Sequence, residues 1–139
     1  MTIVAAVIND EGSALSDPCA LYLAPTKALA NDQARAWRDL ALPGIREAVV
    51  DGDSNADERA WARRHATVVL TNPDMLHYSL LPGHERWSRL LRNLHYIVVD
   101  EAHAYRGVFG AHVSLVLRRL RRLAEHHRSS PIVIAASAT

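Results

Sequence analysis

Short runs of apolar and β-branched residues alternate along the chain with longer segments in which apolar residues recur at helical spacing. The runs predict strands at about residues 20–24, 45–50, 67–71, 96–99 and 132–136. The intervening segments predict helices at about residues 26–40, 54–65, 84–92 and 110–124. Because the strands lack polar alternation and are separated by helices, the pattern predicts an α/β fold. We expect three layers, with a mostly parallel β-sheet flanked by helices.

Polar clusters stand where four of the predicted strands end. Ligands of open parallel sheets gather beyond the carboxyl ends of the strands, so these clusters should share one functional edge. The four clusters are Pro25-Thr26-Lys27, Thr71-Asn72-Pro73, Asp100-Glu101 and Ser137-Ala138-Thr139.

Two adjacent carboxylates at the tip of an apolar strand suggest chemistry on phosphates. Asp100 has the oxygen ligands that Mg²⁺ prefers, and Glu101 could deprotonate a water molecule that attacks a phosphoryl group. His103 could contact a hydroxyl at the next strand end, where Ser137 and Thr139 are candidates. The same tetrad could equally cap the turn that follows the strand, with His103 on the surface.

Composition limits the classes of protein that fit. With 139 residues, of which 49% are apolar, the chain suffices for one domain with a buried core. A formal charge of +1 excludes a global basic field, so any nucleic-acid binding must be local. The single cysteine, Cys19, excludes an internal disulfide and a multi-cysteine metal site. The apolar N-terminal stretch is too short to span a bilayer and lacks a basic flank; we expect a cytoplasmic protein without membrane contact.

Taken together, the clusters resemble motifs of the DEAD/DEAH-box helicases of superfamily 2. Asp100-Glu101-Ala102-His103 resembles motif II (Walker B), and Ser137-Ala138-Thr139 resembles motif III. PTKAL and TNPDML resemble motifs Ia and Ib. TNPDMLH and VVDEAHAYRGVFGAHV are more specifically similar to bacterial DEAH helicases with a zinc-binding, cysteine-rich C-terminal region that are linked to DNA repair.

The resemblance implies a RecA-like motor domain that couples ATP hydrolysis to unwinding of nucleic acid, with ATP and Mg²⁺ as cofactors. Asp100 would then hold the Mg²⁺ ion and Glu101 would activate water. His103, Ser137 and Thr139 would couple hydrolysis to strand separation. Single-stranded or duplex nucleic acid, in the first place DNA, would be the partner, and motifs Ia and Ib would hold the backbone of one strand. The residues implied in that contact are Thr26, Lys27, Thr71 and Asn72.

A nucleotide motor also needs a glycine-rich phosphate loop, and none occurs in this sequence. The one lysine, Lys27, has no glycine near it. We therefore expect residues 1–139 to be a partial helicase ATP-binding domain, from after motif I to motif III, that is inactive alone. Residues 2–11 would end the helix that follows the loop. The remainder of the helicase would be a partner, and its missing phosphate-loop strand would leave an unpaired, apolar sheet edge.

Other functions remain open on the sequence alone. One alternative is a truncated, non-catalytic module that binds nucleic acid or a protein partner through motifs Ia and Ib. A metal-dependent hydrolase unrelated to motors is another, but it leaves the other strand-end clusters unexplained. The arginines at positions 118, 119, 121 and 122 favour a solvated helix face over a DNA patch, and the tryptophans at positions 37, 61 and 87 favour core packing.

Overall fold

The computed structural model describes residues 17–137, except for the side chains of residues 108 and 109. Two of the sequence predictions concern positions outside this range: the helix end at residues 2–11 and the coupling role of Thr139.

Five strands and five α-helices make up the described chain, in the order that the sequence pattern predicts. The strands are β1 (Cys19–Leu23), β2 (Glu47–Val49), β3 (Val68–Thr71), β4 (Leu94–Val99) and β5 (Ile132–Ala135). The α-helices are α1 (Lys27–Leu40), α2 (Ala56–His65), α3 (Pro73–Met75), α4 (Ser88–Arg92) and α5 (Gly107–His126). A π-helical turn (Leu76–Leu80) and two 3₁₀ turns (His84–Trp87 and Ala102–Ala104) complete the structure. The predicted helix at residues 84–92 is thus a 3₁₀ turn followed by α4.

All strand pairs are parallel, in the order β2-β3-β1-β4-β5. The three inner strands β3, β1 and β4 are the most apolar, and every residue of β1 and β3 is buried. This burial explains why these segments lack polar alternation, since helices cover an inner parallel strand on both faces. The predicted three-layer α/β fold is therefore confirmed.

Alternate residues of each inner strand face different helices. On one face, Leu21, Ile97 and their neighbours pack against α2, α4 and α5. On the other face, Tyr22 and Val98 pack against α1, where Trp37 lies edge-on to the Tyr22 ring at 5.5 Å between centroids. Successive residues of each inner strand therefore contribute alternately to the two halves of the core.

Side-chain caps set the start of three helices. Thr26 caps α1 and Asn72 caps α3, where Pro73 occupies the first turn. At α2, Asn55 and Glu58 form a reciprocal capping box, one residue later than the Ser54 start that the sequence suggests. The polar clusters after β1 and β3 are thus helix N-termini as well as strand ends.

The arginine run of α5 and the three tryptophans divide between surface and core. Arg118, Arg121 and Arg122 are exposed, as predicted, whereas Arg119 folds back onto the π-helical turn. Trp37 and Trp87 are buried, and Trp61 remains 44% exposed. None of the helices within residues 17–137 is long and apolar enough to cross a membrane.

Candidate functional site

Backbone hydrogen bonds hold the strand ends side by side at one edge of the sheet. The Ala24 N–H donates to Thr71 O, the Asp100 N–H to Leu23 O, and the Ala136 N–H to Val99 O, each at 2.9 Å. The clusters after β3, β1, β4 and β5 are therefore neighbours in space, although 112 positions separate Ala24 from Ala136 in sequence.

The Asp100 carboxylate lies at the tip of β4 and is partly solvent-accessible. Its Oδ1 accepts a hydrogen bond from the Glu101 N–H at 2.8 Å, and its Oδ2 accepts one from the Tyr22 hydroxyl. A carboxylate offers about four lone-pair positions, so these bonds fix its orientation and leave acceptor capacity for a hard cation.

Tyr22 is a site residue that the sequence analysis missed. Burial raises its pKa well above the usual range for a phenol, and the hydrogen bond to Asp100 raises it further. Burial also raises the pKa of Tyr105, and the Asp100 charge adds to this effect. The Tyr22 hydroxyl therefore stays protonated at any physiological pH and remains a donor to Asp100.

Glu101, His103 and Ser137 form a continuous chain of polar contacts. Glu101 Oε2 lies 3.1 Å from His103 Nε2, and His103 Nδ1 lies 2.9 Å from Ser137 Oγ. The Ala102 N–H donates to Ala136 O at 2.9 Å and so ties the two strand ends together. A change in the position or charge of Glu101 can therefore affect the segment after β5 through the His103 ring.

The start of α1 presents Thr26 and Lys27 to solvent. The Thr26 hydroxyl oxygen accepts a hydrogen bond from the Leu29 N–H at 3.2 Å, which leaves its own O–H able to donate outward. Lys27 is half exposed and lies 3.4 Å from the Asp53 carboxylate, which is 84% exposed. An ion pair this exposed contributes little, so Lys27 can exchange Asp53 for a phosphate at small cost.

The two predicted contact residues at the end of β3, Thr71 and Asn72, differ in the exposure of their side chains. Asn72 is partly exposed and caps α3 by accepting the Met75 N–H at 2.9 Å. Thr71, by contrast, is 1% exposed, and its hydroxyl donates to Val50 O at 2.7 Å. The Thr71 side chain thus joins β3 to β2 in this structure, and its contact with nucleic acid stays a prediction.

A groove of about 400 Å³ runs between the starts of α1 and α3. We call it the strand groove; its walls include Lys27, Gly52, Asn72, Asp74 and Tyr78. Side-chain donors and helix N-termini suit phosphate oxygens and carry no information about base sequence. The groove can thus hold a nucleic-acid backbone.

Within residues 17–137, no three histidine, cysteine or acidic side chains converge as a metal site would require. Mg²⁺ does not need such a cluster, since it commonly binds one or two carboxylates and takes its other ligands from water and substrate phosphates.

Comparisons with known proteins place this geometry in a family. The sequence model of the DEAD/DEAH box helicases matches residues 1–139. The ATP-dependent helicase HRQ1 of Saccharomyces cerevisiae is 48% identical over 126 residues, which cover 86% of this chain and 12% of HRQ1. The ATP-dependent helicase YprA of Bacillus subtilis is 47% identical over 123 residues, which cover 86% of this chain and 16% of YprA.

Solved structures agree with the sequence relatives. The crystal structure of the DUF1998 helicase MrfA bound to DNA and AMPPNP superposes with a TM-score of 0.83 at 46% identity, over 88% of this chain and 18% of that one. The Mycobacterium smegmatis helicase Lhr bound to ssDNA and AMP-PNP gives a TM-score of 0.70 at 27% identity, over 98% of this chain and 18% of that one. The present chain therefore spans less than a fifth of each of these relatives. It belongs to the DEAD/DEAH-box helicase family and is close to the helicases HRQ1, YprA and MrfA.

Proposed function

We propose that this chain is the part of the first motor domain of an ATP-dependent DNA helicase that activates water and holds one DNA strand. Asp100 would hold the Mg²⁺ ion of the nucleotide, and Glu101 would accept a proton from the attacking water. Through their mutual contact, His103 and Ser137 couple this site to the segment that follows β5. A phosphate loop, which this function also requires, does not occur in residues 1–139.

The series of contacts from Glu101 through His103 to Ser137 carries this proposal. An acid poised next to an oriented carboxylate is what phosphoryl transfer asks of a protein, because positioning and charge supply most of the catalysis. A residue that only capped a turn would need neither the Tyr22 hydroxyl on Asp100 nor the imidazole between Glu101 and Ser137.

The residues present fit the implied cofactors. Asp100 combines a fixed orientation with unused acceptor capacity, and it is a single carboxylate, as a magnesium ion that keeps water and phosphate ligands requires. When bound, Mg²⁺·ATP supplies the phosphoanhydride bond to be cleaved. In support, the structures of MrfA and Lhr were solved with bound AMPPNP.

The strand groove supports DNA as the partner. Thr26, Lys27 and Asn72 lie along or beside it, and the structures of MrfA and Lhr were solved with bound DNA and ssDNA respectively. Contacts of this kind bind the backbone without reading its sequence. We therefore infer weak, salt-dependent binding with little base preference.

A chimera tests the proposal. In it, residues 17–137 of this chain replace the matching segment of the MrfA helicase, and phosphate release and duplex unwinding are measured with DNA and Mg²⁺. We expect the chimera to hydrolyse ATP and Glu101→Gln to reduce turnover by about 10²–10⁴-fold, since it removes the base. Ser137→Ala should lower unwinding more than hydrolysis. The isolated chain should release no phosphate.

Glu85→Gln is the matched control, because Glu85 is an exposed acid outside the site and its change should alter neither rate. Unchanged turnover in Glu101→Gln would refute the role of Glu101. A chimera that binds DNA but never hydrolyses ATP, although it is folded, would favour the alternative of a non-catalytic binding module.

A further inference from the structure

A second cleft, of about 560 Å³, adjoins the strand groove. We call it the arginine cleft, because Arg59 and Arg63 of α2 and Arg86 of the His84–Trp87 turn line it. Tyr78 forms part of the wall of both the cleft and the groove. The two hollows therefore meet at Tyr78.

The arginine cleft is strongly cationic. Its lining residues, all within the described chain, include three guanidinium groups and no carboxylate. Arg59 donates from Nη2 to Asp51 O at 3.0 Å, while its Nε is buried without an acceptor among the described atoms. The Arg63 guanidinium lies over the Trp87 ring, 5.8 Å from its centroid. Clustered cations in a concave site attract an anionic ligand.

This arrangement differs from the arginine run of α5. There, Arg118, Arg121 and Arg122 project from an exposed helix face, where each charge is surrounded by water. In the cleft, Arg59 and Arg63 are half buried, and low-dielectric walls increase their attraction for a bound anion. Arg86, the third arginine of the lining, is exposed. The cleft is therefore the better candidate for a phosphate-binding site.

Tyr78 is unusual for an aromatic residue, because it is 74% exposed. It lies in the π-helical turn Leu76–Leu80, a rare conformation that often occurs at functional sites. The adjacent His77 packs edge-on against the Tyr78 ring at 4.7 Å, and Arg119 of α5 donates to His77 O at 3.5 Å. The turn thus presents an open ring face on a supported backbone, which is how proteins stack the bases of a single strand.

We propose that single-stranded DNA continues from the strand groove over Tyr78 into the arginine cleft. One base stacks on the Tyr78 ring, and Arg59, Arg63 and Arg86 bind the phosphates beyond it. This inference rests on the proposed function, because it extends the same strand path. Duplex DNA does not fit, since its bases are already stacked on each other and offer no free face to the ring.

Two oligothymidylates separate the groove from the cleft: one of about 5 nucleotides, which fills the groove, and one of about 12 nucleotides, which reaches the cleft. Their binding to the full chain is measured by fluorescence anisotropy over a range of salt concentrations. Tyr78→Ala should weaken the binding of the long oligonucleotide about 5-fold or more and leave the binding of the short one unchanged. Tyr78→Phe should restore binding, because it keeps the ring.

Charge is tested in the same assay. Arg63→Gln with Arg86→Gln should weaken the long oligonucleotide and reduce the slope of log affinity against log salt by about 0.7 for each phosphate that the variant no longer neutralises. Arg121→Gln with Arg122→Gln removes the same charge from the exposed face of α5 and should change neither slope nor affinity. Circular dichroism checks that each variant is folded.

The outcomes distinguish this inference from the function on which it rests. If Lys27→Ala weakens both oligonucleotides but the Tyr78 and cleft variants bind both as the wild type does, the cleft proposal is overturned and the strand groove stands. An equal loss of affinity in the α5 control and in the cleft double variant would also overturn the cleft proposal, because net charge alone would then explain the effect. If the wild-type chain binds neither length, both proposals fail.

Discussion

Glu101, the proposed catalytic base, has a left-handed backbone conformation with φ at 51°. For a residue with a side chain this conformation costs roughly 1–2 kcal/mol relative to a right-handed one. It persists because its neighbours fix it: the Ala104 N–H donates to Glu101 O at 2.8 Å, and the Ala102 N–H donates to Ala136 O. Strain of this kind, held by the surroundings, is common at functional sites.

Replacing Glu101 by glycine should therefore stabilise the fold while removing the acid. We expect Glu101→Gly to raise the free energy of unfolding by about 0.5–1 kcal/mol, because glycine has no Cβ to clash but loses more entropy on folding. The interaction with His103 that this change removes involves side chains that are 40% and 30% exposed, so it offsets little of the gain. Urea denaturation followed by circular dichroism measures the change.

Two variants control for this experiment. Glu101→Gln keeps the strained conformation and should leave stability nearly unchanged. Arg118→Gly, at an exposed position in the interior of α5, should lower stability by about 1 kcal/mol, as glycine does in a helix. A Glu101→Gly protein less stable than Glu101→Gln would show that the backbone at this position carries no relievable strain.

The sequence predicts the positions of Asp100, Glu101 and His103 because polar residues that directly follow an apolar strand stand out locally. It does not reveal Tyr22, which reads as one more apolar strand residue. Its partner Asp100 lies 78 positions away, and only the register of β1 against β4 brings the two together. The sequence also does not show that the Thr71 hydroxyl turns inward to Val50, because nothing local indicates this partner.

Among the elements, α2 and α4 are joined by one side chain. Arg89 of α4 donates to three carbonyls at the C-terminal end of α2: from Nε to Arg63 O at 2.8 Å, and from Nη2 to Ala66 O at 2.6 Å and to Ala62 O at 3.4 Å. The last carbonyls of a helix have no partner within it, and the helix dipole makes this end negative. Arg89 therefore satisfies and neutralises the end of α2.

Removal of this link should destabilise the domain. We expect Arg89→Ala to lower the free energy of unfolding by about 2–3 kcal/mol, since hydrogen bonds from a charged donor are lost together. Arg89→Lys should lose about half as much, because an ammonium keeps the charge but cannot reach three acceptors as the planar guanidinium does. Thermal and urea denaturation provide the measurement.

Arg92→Ala is the matched control on the same helix, since Arg92 is exposed and its change should cost less than about 0.5 kcal/mol. Equal losses in the two alanine variants would mean that net charge, and not the bonds to α2, matters.

At the element scale, the sequence predicts the strands and the helices α1, α2 and α5 because their apolar residues repeat with the period of the element. It does not predict the π-helical turn after α3. That turn inserts an extra residue relative to an α-helix, so Leu76, Leu80 and Leu81 are all buried although their spacing departs from the helical period. Tertiary packing, which a local pattern does not contain, selects this conformation.

At the scale of the whole molecule, β5 forms one edge of the sheet, and within residues 17–137 no strand pairs with its outer side. Ile132 is 61% and Val133 38% exposed, which is high for a strand of this composition. Since the Ala136 N–H donates inward to Val99 O and successive N–H groups alternate sides, the N–H groups of Val133 and Ala135 point to the open side. An apolar edge with unpaired donors invites a strand from another chain.

We therefore expect the isolated 139-residue chain to self-associate through β5, as measured by size-exclusion chromatography with light scattering. Val133→Pro should reduce association and leave thermal stability nearly unchanged, because it removes an outward donor and spares the bonds to β4. Ile134→Pro should lower stability, since the N–H at this position faces β4 by the same alternation. A peptide carrying the phosphate-loop strand of a related helicase should dissociate the assemblies and raise the melting temperature, because it would pair with the open edge. A monodisperse wild-type monomer that melts cooperatively and ignores the peptide would contradict this prediction and show that the chain closes its sheet edge by other means.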